Sequence, residues 1–150
     1  MNRNRQRGVT TVEFAIVGAV AITVIFVIIE FGRILFSLNV LEEGARRATR
    51  VAAVCAVQDA AISDAALLMT LPGLTTANVV TEYLDDDGIV LGDPNGADYP
   101  QISYVRVRIV NYSFQVAMPF IATLFTAPVV SSTLPRESLG IPFFGAAPAC

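Results

Sequence analysis

Residues 8–29 read GVTTVEFAIVGAVAITVIFVII, and this stretch decides how the rest of the chain is organised. One charged residue, Glu13, lies near its start, and no charged residue occurs from position 14 to position 29. At a rise of about 1.5 Å per residue, a helix over those uncharged positions covers roughly 24 Å. Adding residues 9–12 brings the segment into the range of roughly 17–25 residues that crosses a bilayer. The sequence therefore predicts a transmembrane helix over residues 9–30.

The segment before this helix is basic and predicts its orientation. Residues 1–8 contain Arg3, Arg5 and Arg7 and no acidic residue. Basic flanks normally stay on the cytoplasmic side of a membrane, so we expect a cytoplasmic N-terminus and a domain on the other side. A secretory signal would have small residues for cleavage after its apolar core, whereas here the small residue, Gly8, precedes the core.

The charged residues exclude several classes of function. Ten basic residues oppose thirteen acidic ones, no histidine is present, and the formal net charge is −3. The basic residues are all arginines, scattered or close to acids, so they form no basic face of the kind that binds nucleic acid. Without histidine, lysine or a G-x-S-x-G turn, the chain has no nucleophile and base, and it has no zinc-ligand spacing. We expect no enzymatic activity and no cofactor.

An acidic loop region is the weak candidate for a metal site. It contains Asp85, Asp87 and Asp93, whose carboxylates are of the type that binds calcium. The spacing of an EF-hand is missing, so an ordinary solvated turn is the favoured interpretation.

Residues 31–71 predict a helical extension beyond the membrane, as one helix or two. They contain no proline, and Pro72 follows them. Glu42 and Glu43 precede Arg46 and Arg47 by three or four residues, a spacing that fits ion pairs on a solvated face. The glycine at position 44 indicates a bend or a close contact. An apolar stripe at alternating steps of four and three predicts the packed face: Ile34, Leu38, Leu41, Ala45, Ala48, Ala52 and Cys55.

Residues 72–150 predict a small antiparallel β domain, so the fold class is α+β. Residues 79–84 (VVTEYL) favour a strand, and a DDDG turn follows, with residues 89–91 as a possible hairpin partner. Residues 102–114 alternate, with Val105, Val107 and Ile109 on one face and Arg106 and Arg108 on the other. Residues 118–128, including Phe120, favour a buried helical turn or an interfacial hook. Residues 129–138 suggest a last strand that Pro135 restricts to an edge or an end.

The sequence permits two interpretations of its two cysteines. Cys55 and Cys150 lie beyond the predicted membrane helix, in a compartment that would permit a disulfide if it is oxidising. Two buried, unpaired thiols are the equally weighted alternative, because connectivity cannot be read from a sequence.

Glu13 also has two explanations. Residues 10–13 (TTVE) fit a capping box, in which Thr10 accepts a hydrogen bond from the amide of Glu13 and Glu13 reaches back to the amide of Thr10. Alternatively, an acid at the entry of an apolar segment meets a positive partner, because such groups are costly in lipid and usually functional. The local pattern alone does not choose between the two.

Residues 7–14 (RGVTTVEF) resemble a class III, type IV prepilin-type signal: a basic leader, a glycine, and an apolar segment with glutamate at its fifth position. With the helix segment LEEGARRATR, they are similar to the TadE-like pilus-assembly proteins of bacterial tight-adherence pili. The late alternating strand and the segment LPRES, residues 134–138, add to this resemblance. A TadE-like sequence implies a pilin-like fold. The segment TLP before Arg136 departs from the regular strand expected there.

The resemblance implies that a prepilin peptidase cleaves between Gly8 and Val9 and removes residues 1–8. It also implies that Glu13, with Phe14 beside it, pairs with the new amine of Val9 on a neighbouring subunit. The expected protein is a minor pilin or pseudopilin, stored in the bacterial inner membrane and bound to lipid, to other pilin-like subunits and to the assembly machinery. An unprocessed bitopic envelope protein with a structural or adhesive outer domain is the alternative. An envelope enzyme has only the acidic loop in its favour.

Overall fold

The computed structural model describes residues 6–69, 71–118, 121–141 and 150. Helix α1, Gln6–Val54, contains the predicted membrane segment and most of its predicted extension. The chain forms two compact units. The first contains the described residues of the chain up to Phe36 together with Gln115–Leu124, and the second contains Ser37–Phe114 and Phe125–Cys150.

The first unit combines the apolar part of α1 with most of strands β3 (Ser113–Met118) and β4 (Ile121–Thr126), which pair in a two-stranded sheet. Two residues separate these strands, so they form a hairpin, since a parallel pair would need a long crossover. The predicted helical turn over residues 118–128 is therefore wrong. Valine, threonine and aromatic side chains favour strands here, and the rings of Phe114 and Phe125 lie 5.3 Å apart. Phe120 lies outside the described residues.

The second unit contains the C-terminal part of α1, the short helix α2 (Ala60–Ala66) and a three-stranded antiparallel sheet. The order in this sheet is β1 (Val79–Leu84), β2 (Tyr104–Ile109) and β5 (Val130–Pro135). Two short 3-10 helices, Thr76–Asn78 and Tyr99–Gln101, precede β1 and β2. The α+β fold class, with a long apolar helix followed by a small antiparallel sheet, is confirmed.

The core of the second unit forms between the helical stripe and one face of the sheet. The predicted alternation in β2 is confirmed, because Val105, Val107 and Ile109 are buried while Arg106 and Arg108 occupy the opposite face. The predicted stripe is also confirmed from Leu41 onwards. Its buried members within this unit are Leu41, Ala45, Ala48, Ala52 and Cys55.

Helix α1 ends at Val54, so the helical region predicted for residues 31–71 is divided into two helices. Asp59 caps the N-terminus of α2, because its side chain accepts a hydrogen bond of 2.9 Å from the amide of Ala61. The last carbonyl groups of α1 have no partner within the helix. The C-terminal segment supplies partners: the amide of Glu137 donates to Ala53 at 3.0 Å, and the amide of Gly140 donates to Val54 at 2.8 Å.

The strand predictions differ from the structure in length. β1 occupies the predicted residues 79–84, but the predicted return strand over residues 89–91 is reduced to one isolated bridge between Leu84 and Val90. Asp85 explains this difference, because its side chain accepts from the amide of Ile89 at 2.8 Å and folds the turn closely. The strand predicted over residues 102–114 is interrupted after Ile109, where Asn111 has a φ of 54°. β5 lies at the edge of its sheet, in agreement with the restriction expected from Pro135, but it is shorter than the predicted residues 129–138, because it ends at Pro135.

Candidate functional site: the apolar part of helix α1

The apolar part of α1 exposes large side chains on all of its faces. Phe14 is 79% exposed and Ile28 is 65% exposed, at opposite ends of the uncharged run. Among the described residues, one helix is long and apolar enough to cross a membrane, and no residue of its most apolar stretch is buried. A helix that is apolar all round needs an apolar environment, either lipid or other helices. It is compatible with a single-pass membrane protein.

Glu13 lies exposed inside the helix. Since α1 begins at Gln6, Thr10 is not the residue that caps the helix, and no acidic residue lies in the first turn. The predicted capping box is therefore wrong for the chain before any cleavage at Gly8. No ion pair involves Glu13 within the parts of the chain that the structure describes.

The predicted cleavage site lies at the beginning of the same helix. The backbone of Gly8 and Val9 is helical, in the first turn of α1. The first four amides of a helix lack partners within it, so this turn opens more readily than the helix interior. Glycine weakens it further, by about 1 kcal/mol relative to alanine.

A second carboxylate, which the sequence analysis did not single out, lies at the other end of the uncharged run. Glu30 is only 5% exposed, although the large apolar side chains around it are mostly exposed. Both of its carboxylate oxygens accept from Arg33, at 3.0 and 2.8 Å. The sequence spacing could have predicted the burial of Glu30. This residue precedes Ile34 by four positions and so extends the packed stripe by one turn. Glu30 therefore has a cation on its own helix, one turn away.

The charged pairs farther along α1 agree with the predicted solvated face. Glu42 pairs with Arg46 at 3.2 Å, and Glu43 pairs with Arg47 at 2.8 Å. The hydrogen bond from Arg47, which outweighs the opposing effect of desolvation, lowers the pKa of Glu43. Because both pairs lie on the exposed surface of the helix, solvent screens them and they contribute little to stability.

Cys55 and Cys150 form a disulfide in the structure, with their Cα atoms 5.9 Å apart. The bond joins the last residue of the chain to the position directly after α1. It lies beside the hydrogen bonds by which residues 137–140 cover the end of this helix. The oxidised state in the cell stays a prediction.

Carboxylates in the acidic loop accept hydrogen bonds from backbone amides. Asp85 accepts from the amides of Asp87 and Ile89, at 3.0 and 2.8 Å, and Asp93 accepts from the amide of Ala97 at 3.3 Å. Within the described ranges, no group of three or more acidic, cysteine or histidine residues could hold a metal ion. The structure thus assigns Asp85 and Asp93 to turns, and it does not bring Asp85, Asp87 and Asp93 together in such a group.

Sequence reasoning also missed a charged cluster on the outer face of the sheet. Glu82 of β1 accepts from Arg106 at 2.6 Å and from Arg108 at 3.0 Å, both on β2. Glu82 lies directly opposite Arg106 on the neighbouring strand. Arg108 lies opposite Val80, so its side chain reaches Glu82 diagonally. Burial raises the pKa of Glu82, but the hydrogen bonds and charges of the two arginines outweigh it, and the net pKa is lowered. The pairing depends on strand register, which the sequence alone does not give.

In the part of the chain that the structure describes, one helix near the N-terminus is able to cross a membrane, and a small α+β domain follows it. Residues 8–50 match the model of the TadE-like protein family. The TadE-like character of this segment is thereby confirmed, and the match supports a part in the assembly of tight-adherence pili together with other assembly components. No curated protein and no solved structure matches the chain.

Proposed function

We propose that this chain is a minor pilin or pseudopilin of a tight-adherence pilus, held in the inner membrane by α1 until it is used in assembly. The observation that carries the proposal is the TadE-like match, which begins at Gly8 and covers the whole apolar run. The polypeptide supplies a helix for packing and no chemistry for catalysis. Its partners are other pilin-like subunits, the prepilin peptidase and membrane lipid.

Processing between Gly8 and Val9 requires the first turn of α1 to open, because a peptidase must reach both sides of the scissile bond. Three features favour this opening: the unsatisfied amides of the helix end, the low helix propensity of glycine, and the absence of a Cβ atom at Gly8. Cleavage there removes three arginines and leaves the apolar helix with a terminal amine at Val9.

Glu13 has the role of pairing with such an amine on a neighbouring subunit. It differs from Glu30, which already accepts two hydrogen bonds from Arg33. An exposed carboxylate on an apolar helix is costly in lipid or in a dry bundle, so a positive partner stabilises the packed state. A charge pair of this kind also sets the register of neighbouring helices, which is the best-supported use of buried polar groups.

The intact mass of the protein, measured from cells with and without the prepilin peptidase, tests the processing step. We expect a chain that begins at Val9 in the first strain and at Met1 in the second. Gly8→Leu should block cleavage, whereas Gly18→Leu, its control on the same helix, should not, since nothing lies within 4 Å of a Cβ at residue 18. A chain beginning at Met1 in both strains would contradict the proposal and favour the unprocessed bitopic envelope protein.

A further inference from the structure

Strand β5 is an edge of the three-stranded sheet that the proposed function does not use. Among the described residues it has a hydrogen-bonded neighbour, β2, on one side only. The other edge strand, β1, is partly covered, because the amide of Leu91 donates to the carbonyl of Tyr83 at 2.8 Å. An uncovered edge is a template for binding another chain, and native proteins usually protect it with a charged side chain or a bulge. β5 has neither, so its edge is open to a further strand.

The backbone groups that point away from β2 belong to Ser131 and Thr133. In an antiparallel ladder, alternate residues direct both their N–H and their C=O group to the same neighbour. The amide of Arg136, one residue beyond β5, donates to the carbonyl of Ser103, directly before β2, at 2.9 Å, and this contact fixes the alternation. Ser131 and Thr133 thus present their amides and carbonyls to the outside of the sheet, whereas Pro135, at the end of the strand, has no amide to present.

The hydrophobic core is closed over β2 but open at β5. Ile109 and Val105 of β2 are 2% and 0% exposed. Val130 and Leu134, which lie opposite them on β5, are only partly buried. A strand added beside β5 would cover these two side chains, because directly opposite residues of neighbouring strands have Cβ atoms about 4.5–5.5 Å apart. The added segment therefore needs apolar residues at alternate positions, on the face that continues the core.

A cleft of about 460 Å³ lies beside the first half of β5. It is lined by residues 128–132 and, on α1, by Glu42 and Arg46. Thr49 brings α1 to this strand, since its hydroxyl oxygen lies 3.2 Å from the carbonyl oxygen of Ser132. The side chains of Glu42 and Arg46 are 52% and 60% exposed, so each can contact a polar side chain of an incoming segment.

A second copy of this chain does not fit the edge in a membrane. Ala45 lies in one buried cluster with Ile109, whereas Ala52, farther along α1, lies in another with Val105, which comes earlier in β2. α1 therefore runs opposite to β2 and in the same direction as β5. The symmetric pairing of two β5 strands is antiparallel, so it would run the two α1 helices in opposite directions. Two copies that enter the membrane through the same end of α1 cannot pair in this way.

The edge alone is too small to hold a soluble protein. Its six residues are about 20 Å long, and a contact of sheet thickness, about 10 Å, along that length covers on the order of 200 Å². A stable protein interface usually covers about 800 Å² on each partner. A partner in the same membrane overcomes this limit, because its own helix confines it near α1 and raises its effective concentration.

We propose that the edge of β5 accepts an extended segment of a different pilin-like subunit in the same membrane, which adds a strand to the sheet. This inference rests on the proposed function, which supplies the membrane helix and the neighbouring subunits. Backbone hydrogen bonds to Ser131 and Thr133 bind the segment, and its apolar face covers Val130 and Leu134. Its first polar side chain contacts the α1 side of the cleft.

Photo-cross-linking in cells that make the pilus tests this inference on the full-length protein. The probe is p-benzoylphenylalanine, which replaces Val129 in the cleft, a residue with 53% exposure. In the control it replaces Val80 on β1, the other edge strand, with 37% exposure. Peptide mass spectrometry identifies the partner and the segment. We expect the probe at residue 129 to bond to one segment of a different protein with a prepilin-type signal, and the probe at residue 80 not to do so.

Proline substitutions test whether backbone hydrogen bonds hold the segment. Thr133→Pro removes an outward amide and keeps the pairing with β2, because proline is tolerated on an edge strand where the amide faces solvent. We expect roughly two- to tenfold less cross-linked product, as for one lost backbone hydrogen bond. Thr133→Val, the matched control, keeps the amide and should cross-link normally. Ser131→Pro removes the other outward amide and replaces Thr133→Pro if that variant has a lower melting temperature.

The remaining outcomes separate this inference from the proposed function. In cells where the chain begins at Val9 and fibres form, a bond from residue 129 to a second copy, to a protein without a membrane helix or to nothing would overturn the inference alone. Equal yields from Thr133→Pro and Thr133→Val would also overturn it, as would unfolding of both proline variants, since the amides would then bind within the sheet. A chain that begins at Met1 and whose deletion leaves the fibres unchanged would overturn the proposed function and this inference with it.

Discussion

The backbone of Gly44 in α1 lies so close to that of Ala66 in α2 that a Cβ atom at residue 44 would be 2.7 Å from the Ala66 carbonyl oxygen. The same atom would be 3.6 Å from Cδ1 of Ile109 on β2. Gly44→Ala would raise helix propensity by about 1 kcal/mol, but it forces two helical backbones apart. Overpacking of this kind costs about 1–3 kcal/mol, so we expect a net loss of stability.

Thermal unfolding of the detergent-solubilised chain, followed by circular dichroism, measures this effect. Gly32→Ala is the control, because it is on the same helix and has nothing within 4 Å of the added Cβ. We expect a lower melting temperature for Gly44→Ala and an unchanged or slightly higher one for Gly32→Ala. Equal melting temperatures for the two variants would mean that α1 and α2 do not pack closely at this position.

The Cys55–Cys150 bond closes a loop with a sequence separation of 95 residues, and its loss should destabilise the second unit. Cross-links over loops of this length typically contribute about 2–4 kcal/mol, mainly by restricting the unfolded chain. We expect Cys55→Ala, Cys150→Ala and the double variant to lose similar amounts of stability, because each removes the same bond.

Alkylation under denaturing conditions, with and without a reductant, measures the state of the two cysteines in protein taken from the envelope. Modification should occur only after reduction. Modification of both thiols before reduction, together with unchanged stability of the double variant, would favour the two unpaired thiols that the sequence also permits.

The cluster of Glu82, Arg106 and Arg108 predicts acid sensitivity. The pKa of Glu82 in the folded protein lies below its ordinary value of 4.5, since the two arginines outweigh the effect of burial. A lowered pKa stabilises the fold at pH above about 4.5, and this contribution is lost as the pH falls through the folded-state pKa. We expect Glu82→Gln to reduce stability by about 1 kcal/mol at pH 7 and to flatten its dependence on pH below 4.5.

Chemical denaturation at several pH values between 3 and 7 provides this comparison. Glu42→Gln is the control, since Glu42 and Arg46 form a solvent-exposed pair 3.2 Å long whose loss should change stability by less than about 0.5 kcal/mol. The remaining acid sensitivity of Glu82→Gln should come from other carboxylates such as Glu43, whose pKa is also lowered. An unchanged pH profile would mean that the arginines do not hold Glu82 in its charged form.

Local periodicity was sufficient to predict the helical and strand faces that form the core. Steps of three and four identified Leu41 and Ala45 on α1, and alternation identified Val105 and Val107 on β2, because these patterns follow from the geometry of single elements. Strand propensity placed β1 at residues 79–84, and Pro135 restricted the last strand, expected over residues 129–138, to an edge or an end. That strand lies at the sheet edge and is shorter than expected, Val130–Pro135.

Features that depend on tertiary packing could not be predicted in this way. The end of α1 at Val54 depends on amides that arrive from residues 137–140, far along the sequence. The prediction of a helical turn over residues 118–128 is wrong because this apolar stretch shows neither helical nor strand periodicity. Its β-branched and aromatic residues favour pairing as strands. At the candidate site, the capping box was locally consistent, but it failed because the helix begins earlier, at Gln6.

Glu13→Gln tests the role proposed for the acid at the entry of the apolar run. Glutamine can make the hydrogen bonds of a capping box but carries no charge, so the variant removes only the ion pair. We expect α1 to insert into the membrane and the leader to be cleaved, while pilus assembly fails. Membrane fractionation, intact mass and the amount of sheared fibre measure these three steps separately.

Two further variants assign the effect to Glu13 rather than to any loss of negative charge from α1. Glu42→Gln removes a charge from the solvated face and should assemble normally, since Glu42 is paired with its own Arg46. Glu13→Asp keeps the charge on a side chain shorter by one methylene, so an intermediate amount of fibre is expected if the carboxylate must reach an amine on a neighbouring helix. Normal assembly of Glu13→Gln would contradict the pairing. In that case residue 13 would serve only to form the capping box. That box can form after cleavage at Gly8, when the helix starts near Thr10.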